Sequence, residues 1–258
     1  MKILEVSNLI KTFKDPNNNN FKVLDDISFS LNEGEVLGLV GESGSGKTTL
    51  GRTIIRLINQ DSGKIIFDNL DISNLSKSSM KKIRKDMQII FQDPFGSLNP
   101  RHSIEHIIGE PLLVHNYGTY NKIKKRILEL LNQVGLPKES MSLYPHEFSG
   151  GQRQRIAIAR AIALKPKFLI ADEAVSALDV SIQSQILNLI SDLVKEYNIS
   201  MVFISHDLSV IRHISSNIAI MRKGKIVEMG DTETVLNNPS HQYTKMLISA
   251  VPGFQSNF

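Results

Sequence analysis

One eight-residue stretch constrains this 258-residue chain more than anything else in it: GESGSGKT at positions 41–48, which fits the pattern G-x-x-x-x-G-K-[ST]. It follows an apolar segment, 35–40, that reads as a buried strand, and it runs into a segment expected to be helical over about 47–57. Glycines 41, 44 and 46 allow backbone conformations and close approaches that a side chain would block. Successive backbone N–H groups and the positive end of the helix dipole can then surround a phosphate. Lys47 can reach the outer phosphates, and the Thr48 hydroxyl can ligate Mg²⁺. The strand–loop–helix context favours a nucleoside-triphosphate site over a chance glycine-rich turn. It leaves open which kind of nucleotide enzyme this is.

The length suits one large domain, or one domain with an inserted lobe. Hydrophobic content of 41% with 22% charged residues excludes wholesale disorder. Lys+Arg 30 against Asp+Glu 26 leaves only +4, which gives no ground for expecting a nucleic-acid partner. With no cysteine, a disulfide, a thiolate metal site and a cysteine-ligated iron–sulfur cluster are all excluded. The first residues, MKILEVSNLIKTF, carry lysines and lack the long apolar run of a secretory signal. The longest apolar stretches, such as 168–171 and 218–221, fall far short of the roughly 20 residues that span a bilayer. The expectation is a soluble, cytoplasmic protein that reaches any membrane through a partner.

Strands are expected at 4–9 and 23–31, separated by a polar loop at 15–20 whose sequence is DPNNNN. A turn region follows at 68–74, a solvated basic helix face at 81–85 and a further strand at 87–91. From 94 to 164 the helical period dominates, as in 123–134, where Ile127, Leu128, Leu130, Leu131 and Val134 are expected on one side. Apolar strands return at 168–171 and 201–204, with a helix at 181–197 between them. Strand, helix and strand over this length point to a parallel α/β sheet.

The chemistry-bearing residues lie at the ends of these strands. FLIAD at 168–172 is an apolar strand ending in a carboxylate, so Asp172 can hold Mg²⁺ through its water shell, and Glu173 is placed to polarise an attacking water. His206 follows another apolar strand and could donate to a γ-phosphate. Gln92 follows the strand at 87–91, where its amide can ligate Mg²⁺ or order the attacking water. In FSGGQRQR at 148–155, Ser149 and two glycines precede Gln152, which opens a helix bearing Arg153 and Arg155. That reads as a second anion-receiving helix N-terminus. One nucleotide does not need two phosphate cradles from one chain. A head-to-tail pair, each copy capping the other's nucleotide, is the economical solution.

On these segments the chain resembles the ATP-binding-cassette (ABC) ATPases, the motor subunits of ABC transporters. The resemblance covers essentially the whole chain, with every family motif in order. GESGSGKT resembles Walker A, and it implies ATP contacts from Gly41, Glu42, Ser43, Gly44, Ser45, Gly46, Lys47, Thr48 and Thr49. Gln92 matches the Q-loop, FLIAD with Glu173 resembles Walker B and its catalytic glutamate, and His206 matches the H-loop. FSGGQ at 148–152 matches the signature, with Phe148 for the usual Leu, so Ser149, Gly150, Gly151 and Gln152 are implied to act in trans. SALD at 176–179 is similar to the D-loop, which places Asp179 there. Phe13 stands where the family has an aromatic that stacks on adenine, and Ala174 replaces a common Pro. QDPFGSLNPR at 92–101 and HQYTKMLISAVP at 241–252 are similar to segments of oligopeptide, dipeptide and nickel importer ATPases.

The resemblance implies a P-loop α/β core with a mostly parallel sheet, an N-terminal antiparallel β-subdomain and an inserted helical subdomain. It divides the single ABC domain into a nucleotide-binding core, 1–93 and 165–258, and a helical subdomain, 94–164. The implied cofactors are ATP and Mg²⁺, with no iron–sulfur cluster. The implied partners are a second ABC ATPase subunit (a copy or a paralogue), two transmembrane permeases and, indirectly, an extracytoplasmic solute-binding protein, with no nucleic acid. The expected place of work is the cytoplasmic face of the cell membrane. An exporter shares the same motor motifs and stands as the alternative within transport. A non-transport ABC protein stands further off, since the chain has one cassette and no sustained heptads.

Overall fold

The computed structural model describes residues 1–15 and 18–250. Residues 16–17 of the polar loop, and 251–252 at the end of the HQYTKMLISAVP segment, lie outside the described residues. The first elements are β1 (Lys2–Lys14), β2 (Asn20–Asn32), β3 (Val36–Val40), α1 (Lys47–Ile54), β4 (Ser62–Phe67), β5 (Leu70–Asp71), α2 (Lys77–Ile83) and β6 (Met87–Ile90). There follow α3 (Pro94–Ser97), α4 (Ile104–Val114), α5 (Tyr120–Gln133), α6 (Gly150–Ile162), β7 (Phe168–Asp172) and α7 (Val180–Glu196). The chain continues through β8 (Ser200–Ile204), α8 (Leu208–Ile214), β9 (Asn217–Arg222), β10 (Lys225–Asp231), α9 (Thr232–Asn237) and α10 (Gln242–Ser249). Two compact units result: Met1–Lys81 with the chain from Ser200 onward, and Lys82–Ile199.

The first unit holds two sheets. The antiparallel one has the order β2-β1-β4-β5. Alternation puts Leu4 and Val6 of β1 and Ile27 and Leu31 of β2 on its buried face, and register shifts bring Leu9 and Leu24 back into the buried set. Each such side chain is worth about 1.5–3 kcal/mol of burial. The β1–β2 register slips between Val6 and Leu9. There Asn8 and Asp26 take positive φ, and the Asn8 amide donates to Asp26 Oδ1 at 2.8 Å, which fixes the irregularity. In the second sheet β3 pairs in parallel with both β8 and β9, and β10 closes onto β9 as an antiparallel hairpin. β3 and β8 are near-continuous apolar runs, as expected of parallel strands covered on both faces.

The other unit is built around β6 and β7, a parallel pair in register from Met87↔Phe168 to Ile90↔Ala171. Between those two strands every regular element is helical. The α5 face that packs inward is Ile123, Ile127, Leu130 and Leu131, one stripe at helical spacing. Leu128, expected on that side, is 36% exposed, because it lies about 100° around the helix from Ile127. Arg126 is buried instead, and its guanidinium donates to the carbonyls of Ile162 and Ala163 at 3.2 Å. It thereby satisfies the carbonyls left over at the end of α6. Among the described residues no helix is long and apolar enough to cross a membrane.

Candidate active site

In the first unit the 41–48 loop joins β3 to α1. Gly46 occupies the helix-capping position at φ +105°, and a Cβ there would lie 2.6 Å from the Val23 carbonyl oxygen. A Cβ on Gly41 would lie 2.1 Å from the carbonyl oxygen of Met221, at the end of β9. Both glycines are therefore required by the chain's own backbone as well as by any phosphate. The Lys47 side chain is buried, and its ammonium donates to the carbonyls of Gly41 at 2.7 Å and Glu42 at 2.9 Å. These two carbonyls draw the Lys47 side chain into the loop, where an anion is a stronger acceptor than a carbonyl. Thr48 and Thr49 are half-buried in the first turn of α1, whereas Glu42, Ser43 and Gly44 form an exposed outer wall and Ser45 is buried.

The parallel pairing Leu39↔Ile204 ends β3 and β8 at one level. His206 therefore leaves the same edge of the sheet as the phosphate loop, at the carboxyl ends of strands where open α/β sheets bind ligands. It is exposed. The backbone around it is fixed by Ser205 Oγ accepting from Asp207 N at 3.0 Å and by Asp207 capping α8 through Ser209 N at 2.8 Å. Phe13 sits on β1 opposite Phe21 of β2, with ring centroids 6.5 Å apart, and the Lys11 ammonium lies 5.4 Å from its centroid. Phe13 is 37% exposed and Phe21 is 48% exposed. The sequence reading singled out one aromatic where the structure presents a cross-strand pair. The register that brings Phe21 alongside is set across the polar loop, where local pattern says little.

In the second unit, Asp172 ends β7 fully buried, with Glu173 next. Gln92, two residues past β6, donates its Nε2 to Glu173 Oε2 at 2.8 Å. Two residues chosen separately from the sequence are thus in direct contact, and the amide aims the carboxylate. Glu173 takes φ +48°, a left-handed conformation that costs a non-glycine residue about 1–2 kcal/mol. Its carbonyl is pinned by Ser176 through both backbone N–H (3.1 Å) and hydroxyl (3.0 Å). A strained backbone held this firmly beside a buried carboxylate is the kind of outlier found at functional sites.

Ser149 caps α6. Its hydroxyl accepts from Gln152 N at 3.3 Å while Gln152 Oε1 accepts from Ser149 N at 2.9 Å, a reciprocal capping box. The helix opens at Gly150, two residues before the expected start at Gln152. Ser149 and Gln152 are exposed at this helix end. The arginines are not part of it. Arg153 stacks its guanidinium 3.6 Å from the Phe95 centroid and donates to the Pro145 carbonyl at 2.7 Å, while Arg155 donates to the Val134 carbonyl at 2.7 Å. The expectation that they receive an anion is corrected: one helical turn carries both away from the N-terminus into packing contacts. Asp179 occupies the N-cap position of α7, exposed and without a side-chain capping bond.

Residues 24–176 match the ABC transporter family, and residues 227–257 match the oligopeptide/dipeptide transporter C-terminal region. The chain is 53% identical to the oligopeptide transport ATP-binding protein AppF of Bacillus subtilis (strain 168), over 90% of this chain and 70% of that protein. It is 51% identical to the oligopeptide transport ATP-binding protein OppF of Streptococcus mutans serotype c, over 97% of this chain and 82% of that one. Among solved structures it is similar to the dimeric post-hydrolysis state of the ATP-binding cassette MJ0796 bound to ADP and Pi. That match has a TM-score of 0.81 and 29% identity over 89% of this chain and 98% of that one. With an antiparallel N-terminal sheet, a parallel-dominated sheet and a phosphate loop between β3 and α1, the chain belongs to the ABC transporter ATPases.

Proposed function

We propose that this chain is the ATP-hydrolysing motor of an importer for oligopeptides or dipeptides, attached through permease subunits to the cytoplasmic face of the membrane. Nickel or another metal chelate is the other solute class its resemblance allows. The observation that carries the reading is the match of 227–257 to the oligopeptide/dipeptide transporter C-terminal region on the same chain as the ABC match. That region lies outside the motor motifs, so importers and exporters need not share it. The relatives named for oligopeptide transport support the same choice.

ATP would sit with its phosphates in the loop from Gly41 to Thr49 and its adenine on Phe13. The resemblance assigns Mg²⁺ the Thr48 hydroxyl, the Gln92 amide and Asp172, hard oxygens of the kind that suit that ion. Among the described residues no group of three or more His, Cys, Asp or Glu side chains could hold a metal. Mg²⁺ would arrive with the phosphates, whose developing charge it offsets. Gln92 serves two ends of one amide: Nε2 holds Glu173 and Oε1 remains for the ion or the water. Glu173 takes the proton of the attacking water, and His206 donates to the γ-phosphate. A second subunit, a copy or a paralogue, would cap this nucleotide with its own residues at Ser149–Gln152 and Asp179. The dimeric state of the similar MJ0796 cassette supports that arrangement. The catalytic work is positioning and electrostatics.

The test is purification of the intact membrane complex followed by reconstitution. ATP hydrolysis that rises when a solute-binding protein loaded with oligopeptide is added supports the reading. A complex with no solute-binding protein, or hydrolysis indifferent to every peptide tried, rejects it.

A further inference from the structure

α10 carries a side chain that reaches the phosphate loop. Tyr243, in α10, is fully buried, and its phenol oxygen accepts from the backbone N–H of Glu42 at 3.2 Å. The peptide unit that carries this N–H is the one whose carbonyl, on Gly41, accepts from the Lys47 ammonium at 2.7 Å. One peptide plane at the mouth of the phosphate loop is thus gripped on both edges, by Tyr243 on one side and Lys47 on the other.

The grip is built from several directions. Arg222, which ends β9, places its guanidinium 4.6 Å from the Tyr243 ring centroid. The residue before it, Met221, is the one whose carbonyl crowds Gly41. α10 is set in turn by Glu228 of β10, whose carboxylate accepts from Ser240 N and Oγ at 2.7 Å and from His241 N at 3.1 Å. The His241 imidazole then accepts from Tyr243 N at 3.1 Å. Burial pushes the Tyr243 phenol above its ordinary pKa, and the Glu42 carboxylate adds to the rise, so the group stays neutral and keeps its proton.

We infer that Tyr243 is a positioning residue for ATP binding: the C-terminal region clamps the Gly41–Glu42 peptide, and so holds the phosphate loop in the conformation that accepts phosphate. The inference rests on the reading of 41–48 as the ATP phosphate site and assigns the C-terminal region a part in it. A phosphate competes with the Gly41 carbonyl for the Lys47 ammonium and weakens the hold on that edge. Tyr243 holds the opposite edge of the same peptide plane independently of the ammonium. Without it the loop samples other orientations, and apparent affinity falls with the fraction of chains in the competent one.

The experiment compares the full chain with its Tyr243→Phe variant, which keeps the ring, the packing and the Arg222 contact and removes only the oxygen. A fluorescent ATP analogue is the probe, with Lys47→Ala as the reference for a broken site. Tyr243→Phe is expected to weaken the analogue about five-fold, the equilibrium equivalent of one lost neutral hydrogen bond. Amide hydrogen exchange of the peptide containing Glu42 should speed up without nucleotide, while exchange within α10 stays at parent values and the melting temperature falls by no more than about 2–4 °C, the loss of that one bond. Equal affinity and equal Glu42 exchange in parent and variant, with Lys47→Ala defective, overturn the inference and leave the phosphate site standing. Failure of the parent chain to bind the analogue, or full binding by Lys47→Ala, overturns the phosphate-site reading and this inference with it. A variant whose α10 exchanges faster throughout shows a general packing role and also overturns it.

Discussion

The two glycines that open α6 should respond differently to the same methyl group. A Cβ on Gly151 would lie 2.6 Å from Cγ2 of Ile182 in α7, closer than two carbons can sit. Ile is branched at Cβ and stiff at χ1, so the methyl cannot swing aside and the helices must shift. Overpacking of that kind costs about 1–3 kcal/mol, against a gain of at most about 1 kcal/mol from replacing glycine by alanine in a helix. The net loss, up to about 2 kcal/mol when the whole gain is realised, should lower the melting temperature by up to about 8 °C at 2–4 °C per kcal/mol. A Cβ on Gly150 would meet nothing nearer than Leu178 at 3.7 Å, an ordinary contact. Gly150→Ala should therefore melt at or slightly above the parent temperature. If the Ser149–Gln152 helix end caps a nucleotide held by another subunit, that methyl intrudes where phosphate approaches. Gly150→Ala placed in a Glu173→Gln chain should then abolish the ATP-dependent dimer seen by size exclusion, with the paralogue added if one is required. A Gly150→Ala chain with parent stability and undiminished dimerisation would refute the capping role. A Gly151→Ala chain that melts above the parent, or above Gly150→Ala, would refute the packing argument.

Lys47→Ala should remove most ATP affinity while the chain still folds, since what a nucleotide loses is its cationic phosphate partner; a filter-binding assay, with the melting curve beside it, decides it. Glu173→Gln keeps the hydrogen bond to Gln92 within reach by an amide flip and removes the negative charge, so ATP should still bind while hydrolysis in the assembled complex nearly stops. Hydrolysis at the parent rate would disqualify Glu173 as the base. Phe13→Ala should weaken ATP by about 1–2 kcal/mol, the scale of one base–aromatic contact, and Phe13→Tyr should be nearly silent. A loss of that size from Phe21→Ala, with Phe13→Ala silent, would move adenine to the other ring of the pair.

Much of this was legible because the decisive segments are local. An apolar strand followed by glycines and a lysine, or by two acids, is a contiguous pattern, and the structure puts strands at Val36–Val40 and Phe168–Asp172. What escaped depends on contacts distant in sequence. Arg153 and Arg155 looked like anion receivers because charge near a helix start suggests it, yet Phe95, Pro145 and Val134 claim them. Tyr243 and Glu42 are 201 residues apart, and no pattern in either segment points to the other. The β9–β10 hairpin did carry a signal that went unread. Lys223 and Gly224, both at positive φ, form a two-residue turn between apolar runs.

The motif residues sort by whether the chain itself has a use for them. Gly41, Gly46 and Gly151 would each drive a Cβ into this chain's own atoms, and Arg153 is consumed by packing, so their presence needs no ligand. Gly44 is different: at φ +78° it meets nothing within 4 Å, and its neighbours Glu42 and Ser43 are exposed. Gly150 is likewise uncrowded, Asp179 stands at a helix start without capping it, and Phe13 is 37% exposed. At Gly44 the positive φ is itself a reason for glycine. Folding alone gives none for glycine at 150, for an acid at 179 that caps nothing, or for an exposed aromatic at 13. These three positions lie within the segments to which the nucleotide and the second subunit have been assigned. Substitutions at Gly41, Gly46 and Gly151 should therefore register first in melting temperature. Substitutions at Phe13, Gly150 and Asp179 should register first in nucleotide binding or dimerisation.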